Sequence, residues 1–171
     1  MRICYFYSAD WPEARQLVAQ HAPSAEIVWT GANEYHYWQE TISRWGKDDL
    51  VTIEQDNGIH EEVIPQFRDC TEPWCAFGYQ VGSYICLKGG GCRKLSLEAQ
   101  QIVPVDALRY PVPDIGECPE CAVLCWRHMD SRISAALEIA GLSVHEHTPQ
   151  IRHLRMELNA AFFARAKESV F

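Results

Sequence analysis

A short apolar strand that runs directly into two carboxylates constrains this chain most strongly. Residues 50–53, Leu-Val-Thr-Ile, form the β-branched, apolar run that a strand buried on both faces requires. Glu54 and Asp56 follow, and a helix is predicted over 61–67. Ligands of α/β proteins bind beyond the carboxyl ends of strands, so the two acids are candidate ligands of a divalent cation. The alternative is a plain polar turn, because residues 56–58, Asp-Asn-Gly, are ordinary turn residues.

Strands and helices are predicted to alternate through the first half of the chain. Strands at 2–8 and 25–29 precede the strand at 50–53, a helix at 12–22 lies between the first two, and a second helix contains Tyr35 and ends at Gly46. This order predicts right-handed crossovers and an α/β fold with a mostly parallel central sheet and helices on both faces. The length of 171 residues fits a single domain, residues 1–171.

Further elements are predicted in the second half. They are strands at 73–79 and 84–87, helices at 96–102, 126–140 and 157–170, and a strand with a proline turn at 142–153. The glycines at 89–91 precede a helix, so they form either a flexible turn or a loop whose backbone approaches a ligand. Lys88, Arg93 and Lys94 flank this loop and are expected to form a local positive rim.

Asp130 falls within the apolar stripe of the predicted helix at 126–140. An acid on a buried face is costly unless it has a partner or a chemical role. The partner would be Arg127 or Arg132, and the chemical role would be that of a base. The residues themselves leave both explanations open.

Charge and composition narrow the range of partners. The formal net charge of −8 opposes uniform attraction to nucleic acid or to an anionic membrane. The chain begins without the long apolar core of a signal peptide, and no segment approaches the roughly 20 apolar residues of a membrane span. We expect a cytoplasmic protein with no membrane partner and with reduced thiols.

Cysteines and histidines raise the possibility of metal binding. Cys118-x-x-Cys121 with Cys125 resembles half of a structural zinc site, which another cysteine would have to complete. The candidates for that role are Cys70, Cys75, Cys86 and Cys92. His145, His147 and His153 lie in one short segment, and we expect one of the three to bind a metal.

Four short motifs, in order, resemble those of small glycosyltransferases of the GT-A fold. Glu54-Gln55-Asp56 is similar to the family's metal-binding DxD motif, with Glu in the first acidic place. Residues 89–93, GGGCR, resemble the glycine loop against the donor sugar, and Asp130 resembles the acid of the xED motif. The segment VHEHTPQIRH resembles the one that ends in a metal-binding histidine, here His153. The chain is also similar to short glycosyltransferase-like proteins of actinobacteria and their phages.

The resemblance implies a Rossmann-like GT-A domain and a role for each matching residue. Asp56, His153 and Glu54 would hold Mn²⁺ or Mg²⁺, and Asp130 would be the base of an inverting transfer. The donor would be a nucleotide sugar such as a UDP-sugar. The residues expected to contact it are Tyr7, Ser8, Tyr35, Glu54, Gly90 and Gly91.

The acceptor is not specified by the sequence. A phage enzyme of this kind would modify a hydroxymethylated DNA base or a protein, in the host cytoplasm. Two other functions compete with this one. A glycoside hydrolase would use Asp56 and Asp130 without a metal, and a zinc-binding interaction module would use the cysteines without catalysis.

Overall fold

The computed structural model describes residues 1–9, 11–31, 34–81, 83–88, 91–103, 105 and 126–155. The strands are β1 (Arg2–Tyr7), β2 (Glu26–Trp29), β3 (Leu50–Glu54), β4 (Asn57–Gly58), β5 (Trp74–Val81), β6 (Tyr84–Cys86), β7 (Cys92–Leu95) and β8 (His145–His153). The helices are α1 (Pro12–His21), α2 (Glu34–Arg44), α3 (Val63–Asp69), α4 (Leu97–Ile102) and α5 (Trp126–Ile139). Every helix in these ranges is too short or too polar to cross a membrane. The helix predicted at 157–170 lies outside the described residues.

The strands of the described residues join in one mixed sheet in the order β2-β1-β3-β7-β5-β8-β4, with β6 paired to β5. Strand β1 is parallel to β2 and β3, and β5 is parallel to β8. The other four pairings, β3 with β7, β5 with β7, β5 with β6 and β4 with β8, are antiparallel. The fold is therefore α/β, but the expectation of a mostly parallel sheet is wrong.

Strand β7 is the main cause of this difference. It lies between β3 and β5 and is antiparallel to both. The connection from β5 to β7 spans only 82–91 and includes β6. A parallel crossover needs a dozen or more residues, so a return this short makes β7 run in the opposite direction. The sequence predicts a loop over 89–93, whereas the strand begins at Cys92.

Helices pack on both faces of the sheet, as predicted. Successive residues of β1 alternate between the faces, with Ile3 and Tyr5 in one core and Cys4 and Phe6 in the other. Helices α1 and α3 cover the first face, and α2, α4 and α5 cover the second. Since β1 is buried on both sides, its apolar run lacks the polar alternation of a strand with one solvated face.

Strand β8 lies within the predicted segment 142–153, but it runs through Pro149, where a turn is predicted from sequence. Phe77 pairs with His147 and Tyr79 pairs with Ile151, so two residues of β5 are opposite four of β8. This irregularity accommodates a proline, which has no N–H to donate to a ladder. The strand then continues and brings His153 opposite Asn57 on β4.

Candidate active site

Glu54 ends β3 and lies between a helix and the loop before β7. Its backbone N–H donates to the carbonyl oxygen of Gly91 over 2.8 Å. Its Oε1 accepts a hydrogen bond from the hydroxyl of Tyr37, on α2, over 3.1 Å. The predicted position of Glu54, at the carboxyl end of a buried strand, is confirmed.

Asp130 on α5 forms an ion pair with Arg93 on β7. Arg93 Nη2 lies 3.0 Å from Asp130 Oδ1, and the arginine side chain is only 1% exposed. Within the described part of the chain, the three guanidinium nitrogens of Arg93 and Asp130 Oδ1 make no hydrogen bond, so the contact is an ion pair without hydrogen-bond geometry. Asp130 is thus a partnered acid, as one of the two explanations expected, but its partner comes from a strand and not from Arg127 or Arg132 of its own helix.

The expected positive rim beside the glycine loop is wrong for two of its three members. Arg93 and Lys94 are both buried, because they lie in a strand at the centre of the sheet. Lys94 Nζ donates to the carbonyl oxygens of Phe67 and Cys70 over 2.9 and 2.6 Å. Lys88 is exposed and pairs with Glu138.

The pKa of Glu54 is shifted by its burial and by its charged neighbours, two acids and one arginine. Burial, followed by the negative charges of Asp130 and Asp56, raises the pKa of Glu54 to about 8, although Arg93 and the Tyr37 hydrogen bond oppose the shift. Burial and the charges of Glu54 and Asp130 also raise the pKa of Tyr37 well above its usual value. At neutral pH Glu54 is therefore mostly protonated and Tyr37 remains a hydrogen-bond donor.

Asp56 lies two residues after Glu54 and meets His153 where β4 pairs with β8. His153 Nε2 lies 3.8 Å from Asp56 Oδ2, and the two side chains are 15% and 14% exposed. The N–H of Leu154 donates to the carbonyl oxygen of Asp56 over 2.8 Å, which fixes the two segments together. The ring of Tyr79 packs on His153 with a centroid separation of 5.1 Å.

Gly91 packs closely against this group of side chains. A Cβ atom at Gly91 would lie 2.5 Å from Tyr79 Cε1 and 3.0 Å from Asn57 Nδ2, so a side chain does not fit. Asn57 is fully buried, and neither of its amide atoms has a hydrogen-bond partner within the described ranges. Gly91 is thus a position of close approach to side chains of the protein itself, and its contact with a ligand stays a prediction. Gly90 lies outside the described residues.

Tyr7 and Ser8 lie at the end of β1, next to the segment that carries the acids. The backbone N–H groups of Ser8 and Ala9 donate to Gln55 Oε1 over 2.6 and 2.8 Å. The ring of Tyr7 packs on Trp29 with centroids 4.9 Å apart. The third residue predicted for this pocket, Tyr35, is on α2, but its side chain is outside what the structure describes.

The predicted metal ligands are only partly brought together. Asp56 and His153 form a close pair, whereas Glu54 points to Tyr37. Among the described residues, the cluster of three potential ligands within 4.8 Å of one another is Cys70, His145 and His147. The cysteines at 118, 121 and 125 lie outside the described residues.

Three residues of the site are not predicted from sequence, Tyr37, Asn57 and Tyr79, and Arg93 is predicted only as an exposed cation. Arg93 had a local signal, since it lies in a short run, Cys-Arg-Lys-Leu, whose ends are apolar. The other three had none, because their roles depend on contacts with residues distant in sequence. Comparison of the chain with models of known protein families and with curated protein sequences finds no match.

Proposed function

We propose that this protein is a metal-dependent glycosyltransferase with a GT-A-like domain, which moves a sugar from a nucleotide-sugar donor to an acceptor hydroxyl. The observation that carries the proposal is the proximity of Asp130, named from one sequence motif, to Glu54 and Asp56, named from another. The pKa of Glu54 responds to the charges of both other acids. Such a concentration of carboxylates is expected where a cation and a donor diphosphate bind.

Two side chains where β4 meets the end of β8 could hold a divalent cation. Asp56 offers a carboxylate and His153 an imidazole, 3.8 Å apart, and the buried amide of Asn57 beside them has no hydrogen-bond partner among the described residues. Oxygen and imidazole ligands suit Mn²⁺, and oxygen ligands suit Mg²⁺. Bound there, the ion would supply positive charge to the diphosphate of a donor such as a UDP-sugar.

The other residues have roles that follow from their contacts. Arg93 orients the carboxylate of Asp130, which accepts the proton of the acceptor hydroxyl as its oxygen bonds to the anomeric carbon. The bond from that carbon to the diphosphate oxygen breaks, and the electron pair leaves with the nucleotide, so the configuration inverts. Protonated Glu54 donates a hydrogen bond to the donor. Tyr7 and Ser8, beside Gln55, line the nucleotide-base pocket.

The first experiment measures nucleoside diphosphate release from a panel of nucleotide sugars, with Mn²⁺, with Mg²⁺ and with a chelator. The acceptors are DNA with hydroxymethylated bases, protein, and water alone. We expect metal-dependent release with one donor. Asp130→Asn should lower kcat by about 10²–10⁴-fold, the usual contribution of a general base.

The matched control is Glu138→Gln, which removes an exposed carboxylate from the same helix. It should keep full activity. Equal rates for Asp130→Asn and the native chain would exclude Asp130 as the base, and release without metal would favour a glycoside hydrolase. No release with any donor would favour the second candidate, a zinc-binding interaction module, for which the cluster of Cys70, His145 and His147 is the specific observation.

A further inference from the structure

A second group of potential metal ligands lies away from the candidate active site. Cys70 follows the end of α3, and His145 and His147 are on β8. One ligand atom from each lies within 4.8 Å of the others. We refer to these three residues as the Cys-His cluster.

The Cys-His cluster forms where the end of α3 lies over β8. His145 and His147 are two residues apart on a strand, so their side chains lie on the same face of the sheet. Helix α3 covers that face, since the ring of Phe67 packs on His147 with centroids 5.6 Å apart. Lys94 Nζ donates to the carbonyl oxygen of Cys70 over 2.6 Å and so ties the end of the helix to β7.

The imidazole of His147 is buried and packed in place, and one of its ring nitrogens is available to a metal ion. It is 8% exposed, its ring stacks on Phe77 with centroids 5.1 Å apart, and its buried Nε2 has no hydrogen-bond partner in the described ranges. Burial, followed by the charges of His145 and Lys94, lowers its pKa. A lower pKa favours the neutral imidazole, which is the form that binds metals. A buried polar atom without a partner is costly, and a metal ion would remove that cost.

The cluster opens onto a groove of about 610 Å³. Cys70 is partly exposed and His145 is exposed, so an ion can reach the site from solvent. Four acids also line the groove: Glu61, Glu62, Asp69 and Glu72. Their negative charge favours a cation, and the open side leaves room for a fourth ligand.

We propose that Cys70, His145 and His147 bind one Zn²⁺ ion, with water or a groove carboxylate in the fourth position. A thiolate with two imidazoles suits zinc, whereas Mg²⁺ and Ca²⁺ prefer oxygen ligands. The site is separate from Asp56 and His153, so it does not depend on the proposed transferase activity. Zinc here joins the end of α3 to β8.

The experiment titrates the metal-free, reduced protein with Zn²⁺ by calorimetry and with Co²⁺ by absorption spectroscopy. We expect the Cys-His cluster to bind one Zn²⁺ per chain. With Co²⁺ we expect a thiolate-to-cobalt charge-transfer band. Cys70→Ser should abolish the band. Cys70→Ser and His145→Ala should each weaken this zinc binding by about 100-fold or more, since even groups that only orient a ligand change affinity by 10–100-fold.

Cys86→Ser and His21→Ala are the matched controls, because each removes the same kind of side chain away from the cluster. Both should bind zinc as the native chain does, as should Asp56→Ala. Circular dichroism checks that each variant is folded, and the exposed position of His145 makes His145→Ala the safer substitution. Unchanged zinc affinity in folded His145→Ala, or zinc binding that is lost only when Cys118 and Cys121 are replaced, would overturn the proposal.

Discussion

The carboxyl group of Glu54 couples the stability of the fold to pH. Its pKa is about 8 in the folded chain, against an ordinary value of 4.5, because burial and two neighbouring acids disfavour its ionised form. Between these values the unfolded chain has lost the proton that the folded chain keeps. The unfolded state then binds fewer protons, so the free energy of unfolding falls as pH rises from about 4.5 to about 8.

Glu54→Gln should remove this dependence. The variant stays neutral in both states, so its stability relative to the native chain should improve steadily between pH 5 and pH 8. Urea unfolding at several pH values, with a chelator present, measures the difference. Glu98→Gln, at an exposed position on α4, is the control and should follow the native pH profile. Parallel profiles for Glu54→Gln and the native chain would mean that Glu54 ionises normally in the fold.

Some residues of the candidate site could be predicted from the sequence, and others could not. Glu54 and Asp130 were predictable, since one ends an apolar strand and the other interrupts an apolar stripe. Arg93 was expected in a positive rim because it flanks the glycine loop, and charged side chains are mostly exposed. Its burial depends on β7 entering the sheet between two other strands, a position that the apolar ends of its short run do not specify.

At the scale of elements, the start of α4 shows how local signals set a boundary. Ser96 Oγ accepts a hydrogen bond from the N–H of Ala99 over 3.1 Å, and Asp49 Oδ1 accepts one from the N–H of Leu97 over 2.8 Å. Ser96 was predicted as the helix start from sequence, and its role is confirmed. The contribution of Asp49 was not predictable, because it comes from the turn before β3.

Ser96→Ala should lower the free energy of unfolding by about 1 kcal/mol, the usual value of an N-cap serine. The loss arises because the N–H of Ala99 no longer has its acceptor. Urea denaturation measures the change. Ser143→Ala, at an exposed position before β8, should change stability little. If the two variants were equally stable, Asp49 alone would suffice to cap the helix.

For the whole molecule, the ion pair between Arg93 and Asp130 is a link between the sheet and α5. Arg93→Met should destabilise the protein by about 3–5 kcal/mol, since it leaves a partly buried carboxylate without its cation. Arg93→Met combined with Asp130→Leu should recover part of this loss, because no unpaired charge then remains. Equilibrium unfolding of both variants measures the coupling.

Arg152→Met provides the comparison at the surface. Arg152 pairs with Glu13 over 2.6 Å, but both side chains are more than half exposed, at 52% and 57%. Its loss should change stability by less than about 1 kcal/mol. If Arg93→Met were no more destabilising than Arg152→Met, the buried pair would not hold α5 to the sheet.

The sequence by itself determined where most strands and helices form, because apolar periodicity and capping residues act over a few neighbouring positions. It therefore indicated β3, α5 and helices on both faces of a sheet. Only the tertiary structure decided that β7 runs antiparallel between β3 and β5, that Arg93 pairs with Asp130, and that Cys70 lies beside two histidines of β8. Each of these depends on which distant segments become neighbours, and the packing of the whole chain sets that choice.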